Sequence, residues 1–525
     1  MFEKDVFTPR PDEVTYGTVM AACERAKEWH KVLELSRLME SERSDLVMDG
    51  MAISSALHAC QQLSYGHAAL DYLEKMKELR IATSSASASA SASAEGGRHD
   101  SDSSNHGHGG NRRGNRRRQA LKGPDDVAYR LTISACARGG LLTEAIELLH
   151  QMEKDTGSPP DVVAYSAAME GCAKLGEYVQ AFDLLREMKK KGVAPNVITY
   201  SAAISACATA SANAAASRQK SKANDPFYSE DATLAMIQEP MRAGLKLLDH
   251  MKTSGNKDAE PNIVTYNVAI RACAEGGGDV SKAFELLDDL LERGLEPTIV
   301  TYGTLMTACE RVADVEGASK VFRAMKENDI VPNEIIYGAA ISCCRKAFQP
   351  ERAVLLLRKM LQDNLYPNTA VFNTVIMAQT EAKNMDKASA VFKLLTSSHA
   401  KKANPNRQTY SILIRAMTSN SQPADAEYYL DRMREDNMKP DVDLLTATVT
   451  SYERNGEPIK ALKLMETMRE DGYDFYEMKL FDAAFKQGVK VINTVVSKSK
   501  GFGAGNATLP KSNDDMEGDY ATQEV

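Results

Sequence analysis

The chain has 525 residues, 43% of them apolar and 26% charged, enough length and apolar content to bury a large core. Its formal net charge of −8 excludes a general electrostatic pull toward nucleic acid, so any such role has to rest on local features. No apolar run approaches the ~20 residues that span a bilayer, and nine cysteines in so long a chain are not the pattern of a small disulfide-stapled secreted domain.

In chain order, the opening "MFEKDVFTPRPD" resembles the remnant of a preceding repeat, so natural sequence upstream of Met1 is expected; it lacks the Arg/Ser-rich character of a transit peptide. A motif then recurs: "EVTYGTVMAAC" ends at Cys23, "DVAYRLTISAC" at Cys136, "VVAYSAAMEGC" at Cys172 and "VITYSAAISAC" at Cys207. It returns as "IVTYNVAIRAC" at Cys273, "IVTYGTLMTAC" at Cys309 and "EIIYGAAISCC" at Cys344. Tyrosine and cysteine stand about two helical turns apart, on one face of a helix. A second, amphipathic helical stretch follows each motif, as in "LLTEAIELLHQMEK" and "DVSKAFELLDDLLERG". Proline then stops it, followed by Asp161, Asn196, Asn262, Thr298, Asn333, Asn368, Asn406 or Asp441.

The unit is helix, turn, helix, stop, and about eleven copies fit between Glu13 and Tyr476. The expected layout is a remnant over 1–12, repeats 1–2 over 13–80 and a disordered Ser/Ala- and Arg/His/Gly-rich insertion over 81–124. Repeats 3–4 and the start of repeat 5 occupy 125–210, a second disordered insertion 211–238, and the rest of repeat 5 with repeats 6–11 residues 239–476. A capping helix over 477–496 and a disordered tail over 497–525 complete it. Such units cannot bury their apolar faces alone, so the fold is all-α, a stack with an extended concave surface. Eight of the nine cysteines share one position in the unit, and only Cys343 departs from it. Neighbouring units stand on the order of 10 Å apart, beyond the ~7 Å reach of a disulfide, so a packing role is expected.

The recurring Tyr, Cys, Ala, Met and Pro-Asp/Asn in register closely resemble the pentatricopeptide repeat family, of the plain 35-residue P class, over residues 12 to about 476. The tetratricopeptide repeat, the nearest competitor, carries a different Trp-x2-Leu-Gly-x2-Tyr signature. The resemblance implies a right-handed superhelical solenoid that binds single-stranded RNA, about one base per repeat. By the family's rule, the residue after the first-helix tyrosine and the last residue of the repeat contact one base. The pairs here are Gly17 with Asp49, Ser54 with Asp125, Arg130 with Asp161, Ser166 with Asn196, Ser201 with Asn262 and Asn267 with Thr298. Gly303 with Asn333, Gly338 with Asn368, Asn373 with Asn406, Ser411 with Asp441 and Thr446 with Tyr476 follow. Ser with Asn resembles an adenine reader, Ser with Asp guanine and Asn with Asn cytosine. Glycine offers no side-chain hydrogen bond, and Arg130, Thr298 and Tyr476 depart from the pattern.

Val127, Val163, Ile198, Val264, Val300 and Ile335 would sandwich bases, the alternative being that they pack at the helix start. Eight residues beyond the reading position stand Arg25, Arg138, Lys174, Arg311, Lys346 and Arg454, where relatives contact phosphate. The alternative for these is a solvated helix-end cation, and Glu275 and Glu381 interrupt the row. The arginines of "GGNRRGNRRRQ" suit auxiliary RNA contact or a solubilising tract. No Cys-x-x-Cys pair, phosphate-cradling loop or nuclease-like acidic cluster is visible, so no catalysis, metal or cofactor is expected. The partner implied by the family is an organellar transcript in a plastid or mitochondrion, with protein cofactors but no membrane and no small-molecule substrate. The alternatives are a protein-binding scaffold, or an RNA-binding adaptor that recruits a separate nuclease or splicing factor.

Overall fold

The structure, a computed structural model, describes residues 12–42, 48–78, 124–224, 230–397, 403–470 and 473. Every element among them is helical, with no strand, and within each unit the helices follow one another as helix–turn–helix repeats. By internal contacts the chain divides into two units, 1–343 and 344–525.

In the first unit most pairs open on a side chain that satisfies a free helix N–H. Asp49, Asp125 and Asp161 accept from the backbone N–H three residues on at 2.8, 2.8 and 2.9 Å. Asn196, Asn262 and Asn333 do so at 3.0 Å. Each cap of this kind contributes about 1 kcal/mol. The Asp/Asn that closes one repeat is therefore the N-cap of the next. The first helices that follow include Gly50–Leu63, Asp126–Gly139, Val162–Leu175, Ile263–Glu275 and Ile299–Val312. Their partners include Leu142–Thr156, Tyr178–Lys190, Val280–Glu292 and Val315–Glu327.

The recurring tyrosine is buried between the two helices, Tyr16 excepted, which is half-buried. In several repeats its hydroxyl donates to a carboxylate near the end of the second helix, whereas Tyr302 donates to the Ala324 carbonyl at 3.3 Å and accepts from Asn328. Tyr165 reaches Glu187 at 3.0 Å, Tyr266 reaches Asp289 at 2.5 Å, and Tyr129 bonds Asp155. Burial by itself would raise the Asp289 carboxyl. Hydrogen bonds from Lys252 and Tyr266, with the charge of Lys252, outweigh it and hold the group below the usual carboxylate range. A depressed folded-state value means stabilisation that is present above about pH 3.9 and is lost as pH falls through it. Asp289→Asn is therefore expected to be less stable than the parent at pH 7, with the gap narrowing as the pH is taken from about 5 to about 2. Urea unfolding across that range checks this, and a gap independent of pH would contradict it.

The cysteines are buried beneath the pairs, Cys23 excepted, which is half-buried, and all nine are free thiols. A Cβ built on Gly244 would lie 3.2 Å from Cys207 Cβ, and one on Gly317 2.9 Å from Cys309 Sγ. The cysteine thus fills the place where the second helix approaches closest, which a larger side chain would not fit.

The second expected insertion is a correction. Val197–Asn224 is a 28-residue helix and Glu230–Thr253 a 24-residue helix, so 211–224 and 230–238 are helical rather than disordered. Ser211 is fully buried and donates to the Ile237 carbonyl at 2.8 Å. The alanines of "ATASANAAAS" explain it: a small-residue tract that looks like low complexity is also the strongest helix former.

In the second unit the same plan recurs over Pro350–Gln362, Thr369–Glu381, Met385–Thr396, Arg407–Ser419, Pro423–Glu435, Val442–Arg454 and Pro458–Glu470. Asn368 and Asn406 are caps, Tyr410 donates to Asp436 at 2.5 Å, and Phe372 takes the tyrosine's place. The expected remnant over 1–11, nearly all of the first insertion with its arginines, Tyr476, the capping helix and the tail lie outside the described residues. Among the described residues no helix is long and apolar enough to cross a membrane.

Candidate nucleic-acid interface

Three residues before each reading position the first helix carries a side chain at its second residue, one turn from the reader. Val127, Val163, Ile198, Val264, Val300 and Ile335 all stand there and all are exposed, Ile198 to 60%. They are not consumed by packing. Val14 and Met51 hold the same place in the first two repeats and are equally exposed. The sequence reading passed over them, although Val14 stands in the same Val-Thr-Tyr register as its counterparts. In the last three repeats the place is taken by Ala370, Gln408 and Asp443, so the apolar row ends there.

Four of these side chains, Val127, Val163, Ile198 and Val264, line one groove of about 640 Å³ in the first unit. Arg130, Ser166 and Ser201 line the same groove, as do Arg138 and Glu170. Ser54, Ser166 and Ser411 each return their hydroxyl hydrogen to the carbonyl four residues back, at 2.8, 2.7 and 2.8 Å. Thr446 does the same at 2.5 Å. In the three serines the hydrogen so engaged leaves the hydroxyl oxygen as an acceptor. Ser201 instead exchanges a hydrogen bond with Thr265 at 2.8 Å, and Thr265 in turn donates to Asn262.

The asparagine caps and Asp125 each keep one further polar atom. In Asn196, Asn262, Asn333, Asn368 and Asn406, Oδ1 accepts the helix N–H. What remains is the Nδ2 donor; in Asp125 it is the second carboxylate oxygen. The two reading partners of a repeat do come together in several cases. Arg130 Nη1 lies 3.0 Å from Asp161 Oδ2, and Asn373 Nδ2 donates to Asn406 Oδ1 at 3.3 Å. A Cβ on Gly17 would lie 3.9 Å from Asp49 Oδ1. Asn373 is only 3% exposed, and its Oδ1 accepts from Thr409 at 2.7 Å, so a base there has to displace contacts already made. Asn267 Oδ1 is buried and has no hydrogen-bond partner. Thr298 forms a capping box with Thr301. Asp441 is engaged by Arg407 instead of a helix N–H.

Three of the six residues of the basic row are tied into bridges between repeats. Arg138 Nε meets Glu170 at 3.1 Å, Arg311 meets Glu275 at 2.5 Å, and Lys174 donates to the Arg138 carbonyl. Arg25 bonds the Ala21 carbonyl at 3.3 Å, and Lys346 and Arg454 are exposed. The Glu275 that interrupts the row in sequence is thus the partner of the next cation along. No group of side chains suited to hold a metal occurs among the described residues.

Sequence-family comparison matches a PPR repeat at residues 14–44, 127–156, 300–330, 335–365, 408–438 and 445–473. A PPR repeat family model matches 160–209 and 261–311, and a pentatricopeptide repeat domain model 355–420, so that more than half of the chain is covered. A chloroplastic pentatricopeptide repeat-containing protein of Arabidopsis thaliana is 38% identical over 64 residues, 12% of this chain and 7% of that protein. Another from the same plant is 36% identical over 81 residues, 15% of this chain and 14% of that protein. The matched stretches thus span a small part of both relatives. The crystal structure of a maize pentatricopeptide repeat protein in complex with an 18-nucleotide psaJ RNA element aligns over 92% of this chain and 80% of that one, at 19% identity and a TM-score of 0.32.

Proposed function

The chain belongs to the pentatricopeptide repeat family, and on that premise we propose that it binds single-stranded RNA by reading about one base per repeat. The observation that carries this is the groove wall on which Val127, Val163, Ile198 and Val264 alternate with Arg130, Ser166 and Ser201. Exposed branched side chains at repeat spacing offer apolar faces between which unpaired bases fit. The polar groups between them meet base edges, which only unpaired RNA presents freely. A serine acceptor beside an asparagine donor complements the amino group and ring nitrogen of adenine. A serine acceptor beside an aspartate suits the N–H groups of guanine.

The outcome is occupancy of a transcript, without catalysis by the chain itself, in plastid or mitochondrial RNA metabolism: stabilisation, processing or translation. The family and the chloroplastic relative support that compartment.

Selection from a randomised RNA pool tests the reading. A defined motif is expected, with adenine opposite the Ser201–Asn262 pair. Asn262→Asp should change that one base to guanine with little change in melting temperature, because asparagine and aspartate cap helices equally well. Absence of any enriched RNA, with retention of an amphipathic peptide instead, would favour a protein scaffold and overturn the proposal.

A further inference from the structure

We propose that the third repeat reads guanine through Arg130 alone, by a bidentate contact to its O6 and N7. This rests on the RNA-binding reading above and specifies one position of it. The other described repeats place serine, threonine, asparagine or glycine at the reading position; this one places an arginine, which lines the groove between Val127 and Val163.

The guanidinium is held at two points. Its Nε donates to the Asp126 carbonyl at 3.0 Å, and Nη1 donates to Asp161 Oδ2 at 3.0 Å. Arginine has five N–H donors, so three remain, one on Nη1 and two on Nη2. Both oxygens of Asp161 are already engaged, Oδ1 capping the next helix at 2.9 Å and Oδ2 taking Arg130 at 3.0 Å, which leaves fewer of its lone pairs for a base. The two-residue reader of the other repeats has become a one-residue head that only donates, fixed from behind by its former partner.

A planar pair of donors is matched by two adjacent acceptors. Guanine presents O6 and N7 side by side, whereas adenine places its amino donor next to N7 and so opposes the guanidinium. Unpaired cytosine also exposes two acceptors, but its single ring covers less of Val127 and Val163, which makes it the competitor to separate. Phosphate is the other acceptor pair. The carboxylate at 3.0 Å offsets the arginine's charge, which weakens attraction to an anion while leaving the donor geometry for a neutral base edge. A purely structural role explains little, because the Arg130 and Asp161 side chains are 30% and 46% exposed and such pairs contribute little to stability.

The test uses the full chain and the RNA it selects from a random pool. The base whose preference changes in Arg130→Lys identifies the position read by this repeat. Guanine is expected there, with binding about tenfold or more tighter than to RNAs carrying adenine, cytosine or uracil at that base. With the unaltered protein, 7-deazaguanine at the same position should lose most of that advantage, since it lacks N7. Arg130→Lys keeps the charge but not the fork, so it should lose the guanine preference and keep its salt dependence. Selection of cytosine at the identified position overturns the proposal. So does an Arg130→Lys protein with an unchanged base profile and affinity, the behaviour of a phosphate contact. Full binding of the 7-deazaguanine RNA overturns it without any variant. Failure to select any RNA is a failure of the broader reading and is distinguishable from all of these.

Discussion

Replacing Val163 and Ile198 together by aspartate is expected to weaken binding to the selected RNA by about a hundredfold, while the melting temperature stays within about two degrees of the parent. Both side chains are more than half exposed, so the fold gains little from them. Each stands at the second residue of its helix, after the caps Asp161 and Asn196. A carboxylate in a helix's first turn is favoured by the macrodipole by about 0.3–1 kcal/mol, which offsets the small loss of apolar contact. The chain itself uses aspartate at this place in its last full repeat, at Asp443. Binding should respond differently. A base stacked on an aromatic side chain contributes about 1–3 kcal/mol in single-strand recognition, and a branched aliphatic side chain, which offers apolar contact without a π face, is taken at the low end of that range. Two such losses, with two carboxylates set near the phosphates, make about 2–3 kcal/mol, or roughly a hundredfold. The alanine pair, which removes surface without adding charge, should fall in between. Fluorescence anisotropy and thermal melts on the same samples settle it, and affinity within threefold of the parent would remove these residues from the interface.

What the sequence made legible is what each repeat decides locally. The tyrosine, the cysteine and the Pro-Asp/Asn stop recur because a buried hydrogen-bonded ring, a close helix approach and an N-cap are required once per unit. Partners between repeats were legible only as phases. Arg311 and Glu275 share one position in the repeat, and nothing in a single repeat says that one bridges to the other. Asn373 read as a cytosine-reading residue, yet its own partner Asn406 and Thr409 of the following repeat already bond it. Arg130 looked like a departure from a pattern until its distance to Asp161 showed what holds it. The alanine-rich tract failed for another reason: composition that predicts disorder by lack of bulk also predicts helix by propensity, and Ile237 supplied the contact that decided between them.

In the native protein at pH 8, Cys23 is expected to react with a maleimide or aromatic disulfide reagent at least a thousandfold faster than the buried thiols of its own row. Burial pushes the Cys60, Cys136, Cys172, Cys207, Cys273 and Cys309 thiols up to about 12. The thiolate is the reactive form, and at pH 8 its share falls from about a quarter for an ordinary cysteine to about one in ten thousand. Steric exclusion adds to this, because reagent reaches Cys207 only when the long helix Val197–Asn224 separates from the helix carrying Gly244. Labelling of these thiols should therefore follow local opening of each repeat and rise steeply with urea, while Cys23 should respond little. Mass spectrometry of tryptic peptides at successive times separates the sites. A redox or metal-binding use of the row would need accessible thiolates, so equal rates at Cys23 and Cys207 would overturn the packing assignment. The sulfur at this position is then chosen for its size: small enough to let the second helix close on the first, and apolar enough to lie there with no more than a weak S–H bond, such as the one from Cys136 to the Gly66 carbonyl at 3.7 Å.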